Sequence, residues 1–289
     1  MNKPLFGPAG STDRMKEFGV KKSTDIPQYL KNMGLTAFEY QCGHGVAISL
    51  EAASVFGESC KTHGIIPSVH APYFISLSSV SEETRIKSVD HIRKTAAVAK
   101  AMGGNRIVVH SGSCGKMTRQ EALLLAKDTL SLAVNALLED GTECVSICPE
   151  TMGKINQLGD LDEVMELCKV SESFIPCIDF GHLNARTHGG IASKEDYSLI
   201  LDKIENALGY DRLKNMHCHF SKIEYSEGGE KKHLTFEDTV FGPDFNPLAE
   251  EIARRGLTPT LICESAGTQD VDALKMSEIY SEYERNGQR

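Results

Sequence analysis

The chain has 289 residues, enough for one large domain or two small ones, and at 40% hydrophobic it can bury a full core. A formal charge of −9 gives no overall basic footprint, which disfavours a general nucleic-acid binder and suits a cleft that attracts cations. No apolar run is long enough to span a membrane, the first residues lack a signal-peptide pattern, and the nine cysteines are scattered, so a reduced, cytoplasmic protein is expected.

Leu5 to Gly10 reads as a short strand leading into a Gly/Ser turn. Ser23-Thr24-Asp25 caps a helix with Pro27 in its first turn, and Gly34 ends it. Thr36 to Tyr40 is the second strand, followed by a helix from Ser49 to His63. Ile65 to His70 is the third strand, and a long helix, Ser81 to Met102, stops at Gly103-Gly104. Arg106 to His110 is the fourth strand, with a helix from Thr118 to Glu139; Cys144 to Glu150 is the fifth, with a helix from Asp160 to Val170. Phe174 to Ile178 is an apolar run that delivers Asp179 and, three positions on, His182. After a helix from Lys194 to Leu208, the spacing predicts a seventh strand over Leu213 to His217 and a polar loop to about Thr239. A helix from Phe245 to Arg255, an eighth strand from Thr258 to Glu264 and a helix from Asp270 to Tyr283 complete the chain. Cys144, Cys148, Cys177 and Cys263 lie in apolar runs and read as small buried hydrophobes.

Alternation of strands and helices implies a parallel sheet. Eight such units without a Pro- or Gly-rich linker predict a single-domain (β/α)8 TIM barrel over residues 1–289. Gly7-Pro8-Ala9-Gly10 does not fit G-x-G-x-x-G, which argues against a doubly wound dinucleotide fold.

Six successive strands end in a titratable side chain: His70, His110, Glu150, Asp179, His217 and Glu264. Barrels keep their chemistry at that face. Burying so many titratable groups is costly unless they share metal ions. Imidazole and carboxylate ligands without cysteine suit Zn²⁺, Mn²⁺ or Fe²⁺ better than Mg²⁺, and the number of ligands exceeds the needs of one ion, so two or three ions are expected. His182 and His233 are further candidates one loop position away. In His217-Cys218-His219 side chains alternate, so His219 can share the inner face and line the site. His44, His63 and His91 fall in loops or helices and read as surface residues; His188, like His219, is a weaker candidate to line the site, an ordinary structural place being the more common one for such a histidine.

Ser68-Val69-His70-Ala71-Pro72-Tyr73, Val109-His110-Ser111-Gly112, Pro149-Glu150-Thr151-Met152-Gly153-Lys154, Ile178-Asp179-x-x-His182, His217-x-x-x-Ser221-Lys222 and Leu261-Ile262-Cys263-Glu264-Ser265 resemble, in order and spacing, the endonuclease IV family within the xylose isomerase-like TIM barrels. The resemblance implies a zinc-dependent endonuclease acting at abasic sites in DNA, with two to three ions. It would place His70, His110 and Glu150 on one zinc, Glu150, Asp179, His217 and Glu264 on a second, and His182 and His233 on a third. That third site also takes an aspartate two residues before the last histidine. Lys231 stands there, and Glu230 is one residue earlier. Tyr73 matches an aromatic that the family inserts beside the lesion, while Glu39 to His44 lacks the arginine of the family's DNA-gripping loop.

Two activities follow. The first is hydrolysis of the DNA backbone 5′ to an abasic site, with Glu150 and Glu264 as catalytic carboxylates and Tyr73 and His219 against the substrate. The second is a one-metal sugar isomerase or epimerase in which Glu150, Asp179, His217 and Glu264 hold the ion, the glutamates move protons and His182 binds sugar hydroxyls. A non-catalytic metal- or ligand-binding barrel is the third reading, and the near-complete ligand ring opposes it.

Overall fold

The structure is a computed structural model that describes residues 3–287. Its strands are β1 (Leu5–Pro8), β2 (Ala37–Gln41), β3 (Ile66–His70), β4 (Arg106–Val109), β5 (Ser146–Pro149), β6 (Cys177–Asp179), β7 (His217–Phe220), β8 (Ile223–Ser226), β9 (Gly229–His233) and β10 (Thr260–Cys263). Two four-stranded parallel sheets, ordered β1-β10-β7-β6 and β2-β3-β4-β5, form the two halves of one barrel. Two seams close it. Gly10 N–H donates to Glu39 O at 2.9 Å between β1 and β2, and Thr151 N–H to Cys177 O at 3.0 Å between β5 and β6. At the first seam a Cβ on Gly7 would lie 1.8 Å from Ala37 O, so only glycine lets β1 approach β2 there.

Helices pack outside the barrel, and their starts follow local chemistry. Ser49, Ser81, Thr118, Asp160, Ser193 and Asp244 each accept a backbone N–H from the first turn of the helix they precede. Each such cap stabilises by roughly 1 kcal/mol. Between strands and helices lies a continuous apolar shell that includes Phe38 packed 5.6 Å from Phe56, and Phe220 packed 5.0 Å from Phe245.

The expected barrel is thus the observed one, with local differences that matter for the site. Of the expected seventh strand, Leu213–His217, the first two residues end a short helix, Tyr210–Lys214, and β7 begins at His217 rather than ending there. The expected polar loop contains the antiparallel hairpin β8–β9. The short helix Phe180–Arg186 follows β6 at once, with Asp179 as its cap. Cys144 is exposed, because β5 starts only at Ser146; the other cysteines are buried. Among the described residues, no helix is long and apolar enough to cross a membrane.

Candidate metal centre

Glu150 follows β5 directly and is fully buried. Its Oε2 lies 2.9 Å from His110 Nε2 and 3.3 Å from His70 Nε2, residues set by the ends of β4 and β3. Its Oε1 lies 2.9 Å from His219 Nδ1 and 3.5 Å from His182 Nδ1. Glu264, just after β10, brings Oε1 to 3.6 Å from the same His219 Nδ1. Asp179 uses Oδ1 to accept the His182 N–H at 2.7 Å, and its buried Oδ2 has no hydrogen-bond partner.

A second layer of the site comes from outside the barrel. His182 Nε2 lies 3.4 Å from Glu230 Oε2, and His233 Nε2 lies 3.9 Å from Glu230 Oε1. Glu230 and His233 are three apart on β9, which in a regular strand would put them on opposite faces. The hairpin pairs Tyr225 with Glu230 but Glu224 with Lys232, so Lys231 is the extra residue of a β-bulge. The bulge turns both ligand-type side chains inward and sends Lys231 outward to pair with Glu224.

The hairpin is anchored on the loop after β5. Glu230 N–H donates to Gly153 O at 3.1 Å and Ile155 N–H to Gly228 O at 3.1 Å. A Cβ on Gly153 would lie 2.6 Å from Glu230 Cβ and 3.0 Å from the His182 ring, so this approach also requires glycine. Two arginines stiffen the loop from beneath. Arg186 donates to the carbonyls of Met152, Lys154, Ile155 and Gln157, and Arg119 to those of Ile155 and Gln157 while it forks onto Glu163.

Among the described residues, four groups have ligand-type atoms within 4.8 Å of one another: His70, Glu150 and His219; Glu150, Asp179, His219 and Glu264; His182, Glu230 and His233; and a fully buried group of Cys177, His217 and His219. The residues fit divalent ions. The buried Asp179 Oδ2 makes no hydrogen bond and is faced by His182 Nδ1 at 3.3 Å, a charge arrangement that a bound cation would take over. Three imidazoles are also oriented for ligation. The Nδ1 atoms of His70, His182 and His233 face Ala71 O at 2.8 Å, Thr151 O at 2.9 Å and Ser221 Oγ at 2.8 Å. With Nδ1–H donated there, each Nε2 lone pair faces a carboxylate.

Electrostatics agree with a cation-seeking cluster. Burial pushes the Glu150 carboxyl up, but the positive charges of His219 and His110 outweigh it and hold it well below the usual carboxylate range. Burial opposes the charged form of His182, yet Asp179 and the neighbouring glutamates raise its pKa well above the ordinary histidine value. Without an ion the cluster balances its carboxylates with protons on imidazole, and those protons leave when a metal binds.

His217, expected on the second ion, is not at that position. It pairs with Cys177 at the start of β7, whereas His219 pairs with Asp179 two residues further along the strand. His219 therefore occupies the place expected of His217, and His217 lies below with Nε2 2.9 Å from Glu39 Oε2. Burial drives the His217 imidazole down to about 4, so it is neutral near pH 7. The expectation placed the strand four residues early, because the apolar Leu213 and Met216 read as strand but serve the preceding helix and turn. Tyr73 is half-exposed, stands 5.1 Å from the His70 ring and 5.6 Å from that of His110, and donates its hydroxyl to Gln41 Oε1 at 2.8 Å. It lies along the wall of the site. Glu39 is the residue the sequence reading missed. An acid in the middle of a buried strand was the available signal.

The groups open into a cleft of about 780 Å³ whose rim includes Gly10, Tyr73, Lys154, Gln157 and Gln269. A family model for the xylose isomerase-like TIM barrel matches residues 27–279. The chain belongs to that family. Among relatives of this xylose isomerase-like barrel, an uncharacterized protein of Methanocaldococcus jannaschii is 34% identical over 96% of this chain and 97% of its own length. A probable endonuclease 4 of Staphylococcus carnosus is 28% identical over 77% of this chain and 70% of its own. Solved structures show the same fold. A D-tagatose 3-epimerase-like protein superposes with a TM-score of 0.73 at 19% identity, covering 99% of this chain and all (100%) of that one. Endonuclease IV from Thermus thermophilus superposes with a TM-score of 0.70 at 21% identity, covering 96% of this chain and 99% of that one.

Proposed function

We propose that this barrel is a metal-dependent phosphodiesterase that cleaves the DNA backbone 5′ to abasic sites with a centre of three divalent ions, zinc above all. The observation that carries the reading is the third ligand group, His182, Glu230 and His233, set against the shared Glu150. A one-ion epimerase needs only Glu150, Asp179, His219 and Glu264, and gains nothing from His70, His110 and a bulged hairpin. The similarity to endonuclease 4 proteins supports the same choice.

His70, His110 and Glu150 would hold one ion, Glu150, Asp179, His219 and Glu264 a second, and His182, Glu230 and His233 a third. Bound divalent ions activate water as a nucleophile and neutralise charge on a phosphoryl group. Glu264 faces the cleft with one oxygen near His219 and is placed to orient the attacking water. Lys154 also lines the cleft, where its ammonium would meet phosphate charge. Tyr73 offers an aromatic face at the mouth for an extruded sugar or flanking base.

The epimerase reading retains one specific support. Lys154 is the one lysine or arginine among the described residues lining the cleft, a sparse cationic surface for duplex DNA. Incubation with a duplex carrying one abasic site, with and without chelator, separates the two. Chelator-sensitive cleavage 5′ to the lesion is expected. Absence of cleavage together with turnover of a ketose by the metal-replete protein would overturn the nuclease reading.

A further inference from the structure

His219 is turned the other way from its neighbours. His70, His182 and His233 commit Nδ1 to an oxygen of the scaffold and present Nε2. His219 presents Nδ1, 2.9 Å from Glu150 Oε1 and 3.6 Å from Glu264 Oε1, and its Nε2 points down into the barrel. The atom that meets Nε2 there is Glu39 Oε1, at 3.0 Å. Glu39 Oε1 is thus the carboxylate oxygen within reach of Nε2, and His219 also groups with Cys177 and His217. Unlike the Nδ1 contacts of the other three rings, this one is a close ion-pair approach that lies outside hydrogen-bond geometry.

Glu39 is itself tightly held. It is fully buried on β2, on the far side of the barrel from β7. Ser68 donates its hydroxyl to Oε2 at 2.9 Å, and Gln41 donates its amide to Oε1 at 3.2 Å. The neutral His217 approaches Oε2 at 2.9 Å with its ring 5.2 Å from that of His219. Gln41 in turn receives the Tyr73 hydroxyl at 2.8 Å, so one continuous polar path runs from the mouth of the cleft to the underside of His219. A carboxylate is expensive to bury and is retained only where a partner repays it. No lysine or arginine pairs with Glu39 among the described residues; its partners are the two histidines of β7.

We propose that Glu39 is a positioning residue, fixing His219 in the tautomer that carries its proton on Nε2 and offers Nδ1 to the ion held with Glu150, Asp179 and Glu264. The proposal rests on the metal-centre reading above. Carboxylate–histidine–metal relays of this kind orient the ring and raise its basicity, and their loss costs about 10–100-fold in metal affinity. His217 completes the device by occupying the second oxygen of Glu39, which leaves Oε1 for His219. Glu39 does not itself line the cleft; it reaches it through His219 and, by way of Gln41, through Tyr73.

Metal titration with Zn²⁺ and Co²⁺ of wild-type, Glu39→Gln and Glu39→Ala protein provides the test, together with ¹⁵N imidazole spectra of the wild-type zinc form. Glu39→Ala is expected to weaken one of the three binding events by about 10–100-fold and leave the His182–Glu230–His233 event unchanged. Glu39→Gln keeps volume and one acceptor oxygen, and is expected to recover part of that loss. The spectra are expected to show His219 protonated on Nε2 and ligated through Nδ1. Ligation through Nε2, or wild-type affinity at every site in both variants, would overturn the role of Glu39 and leave the metal centre standing. Failure of the wild-type protein to take up either ion would overturn the metal centre itself. Should Glu39→Ala not fold, the glutamine variant and the wild-type spectra still decide.

Discussion

Glu150 and Glu230 are both carboxylates facing His182, one from the end of a barrel strand and one from a hairpin outside the barrel. The Glu150 side chain is 1% exposed and has four imidazoles around it, whereas that of Glu230 is 16% exposed and faces two. The first is fixed by the barrel itself. The second depends on a bulge, on Gly153, and on arginines that tie down the loop beneath it. The floor of the centre is therefore expected to be rigid and costly to alter, and its outer wall to be separable from the fold.

The largest effect should come from Glu150. Glu150→Gln is expected to lower activity by more than about 100-fold, since a direct ligand outweighs its outer partners. It should also destabilise the fold by about 3 kcal/mol, because three buried imidazoles and the partly buried His110 lose their counter-charge. Activity and urea denaturation measured together check both. Next come the two histidines of β7. His219→Ala should remove one bound ion and abolish cleavage, while His217→Asn should retain all ions at reduced affinity. The reverse order of severity would restore His217 as the ligand.

Changes to the wall should be milder for the fold. Glu230→Ala should lose one ion and most activity while stability moves within about 0.5 kcal/mol. Deleting Lys231 converts the bulged strand to a regular one in which the acid and the histidine are two apart and share a face. That variant should keep its third ion, and deletion of both Lys231 and Lys232 should lose it. The smallest effect concerns Glu163 behind the wall. Burial raises its pKa, but the Arg119 fork and the N–H groups of Gly159 and Asp160 outweigh that and hold it below its ordinary value of 4.5. Its folded pKa is depressed, so its stabilisation is present above about pH 4.5 and is lost as pH falls through the folded value. Glu163→Gln should lower stability at pH 7 and make the acid side of the stability profile shallower.

The same contrast explains what could be read from the sequence. Apolar runs ending in His70, Glu150 or Glu264 are legible because a barrel strand fixes both the burial of its run and the direction of the residue that follows. The hairpin was hidden because Glu224 to His233 is polar throughout, and its register depends on one extra residue that no periodicity reveals. His217 was misplaced because Leu213 and Met216 are apolar for packing around a short helix, which a strand template cannot distinguish over so short a run. Glu39 went unread because its partners lie on β7, across the barrel, a proximity only the closed fold creates. The family resemblance implied the three-ion pattern, and the geometry brings His219 rather than His217 to Glu150.

Three ions per chain is the central claim, and elemental analysis of the purified, metal-replete protein tests it most directly. Three divalent ions per chain are expected, falling to two in Glu230→Ala. A single exchangeable ion per chain, unchanged in Glu230→Ala, would contradict the claim and return the barrel to the one-ion chemistry of an epimerase.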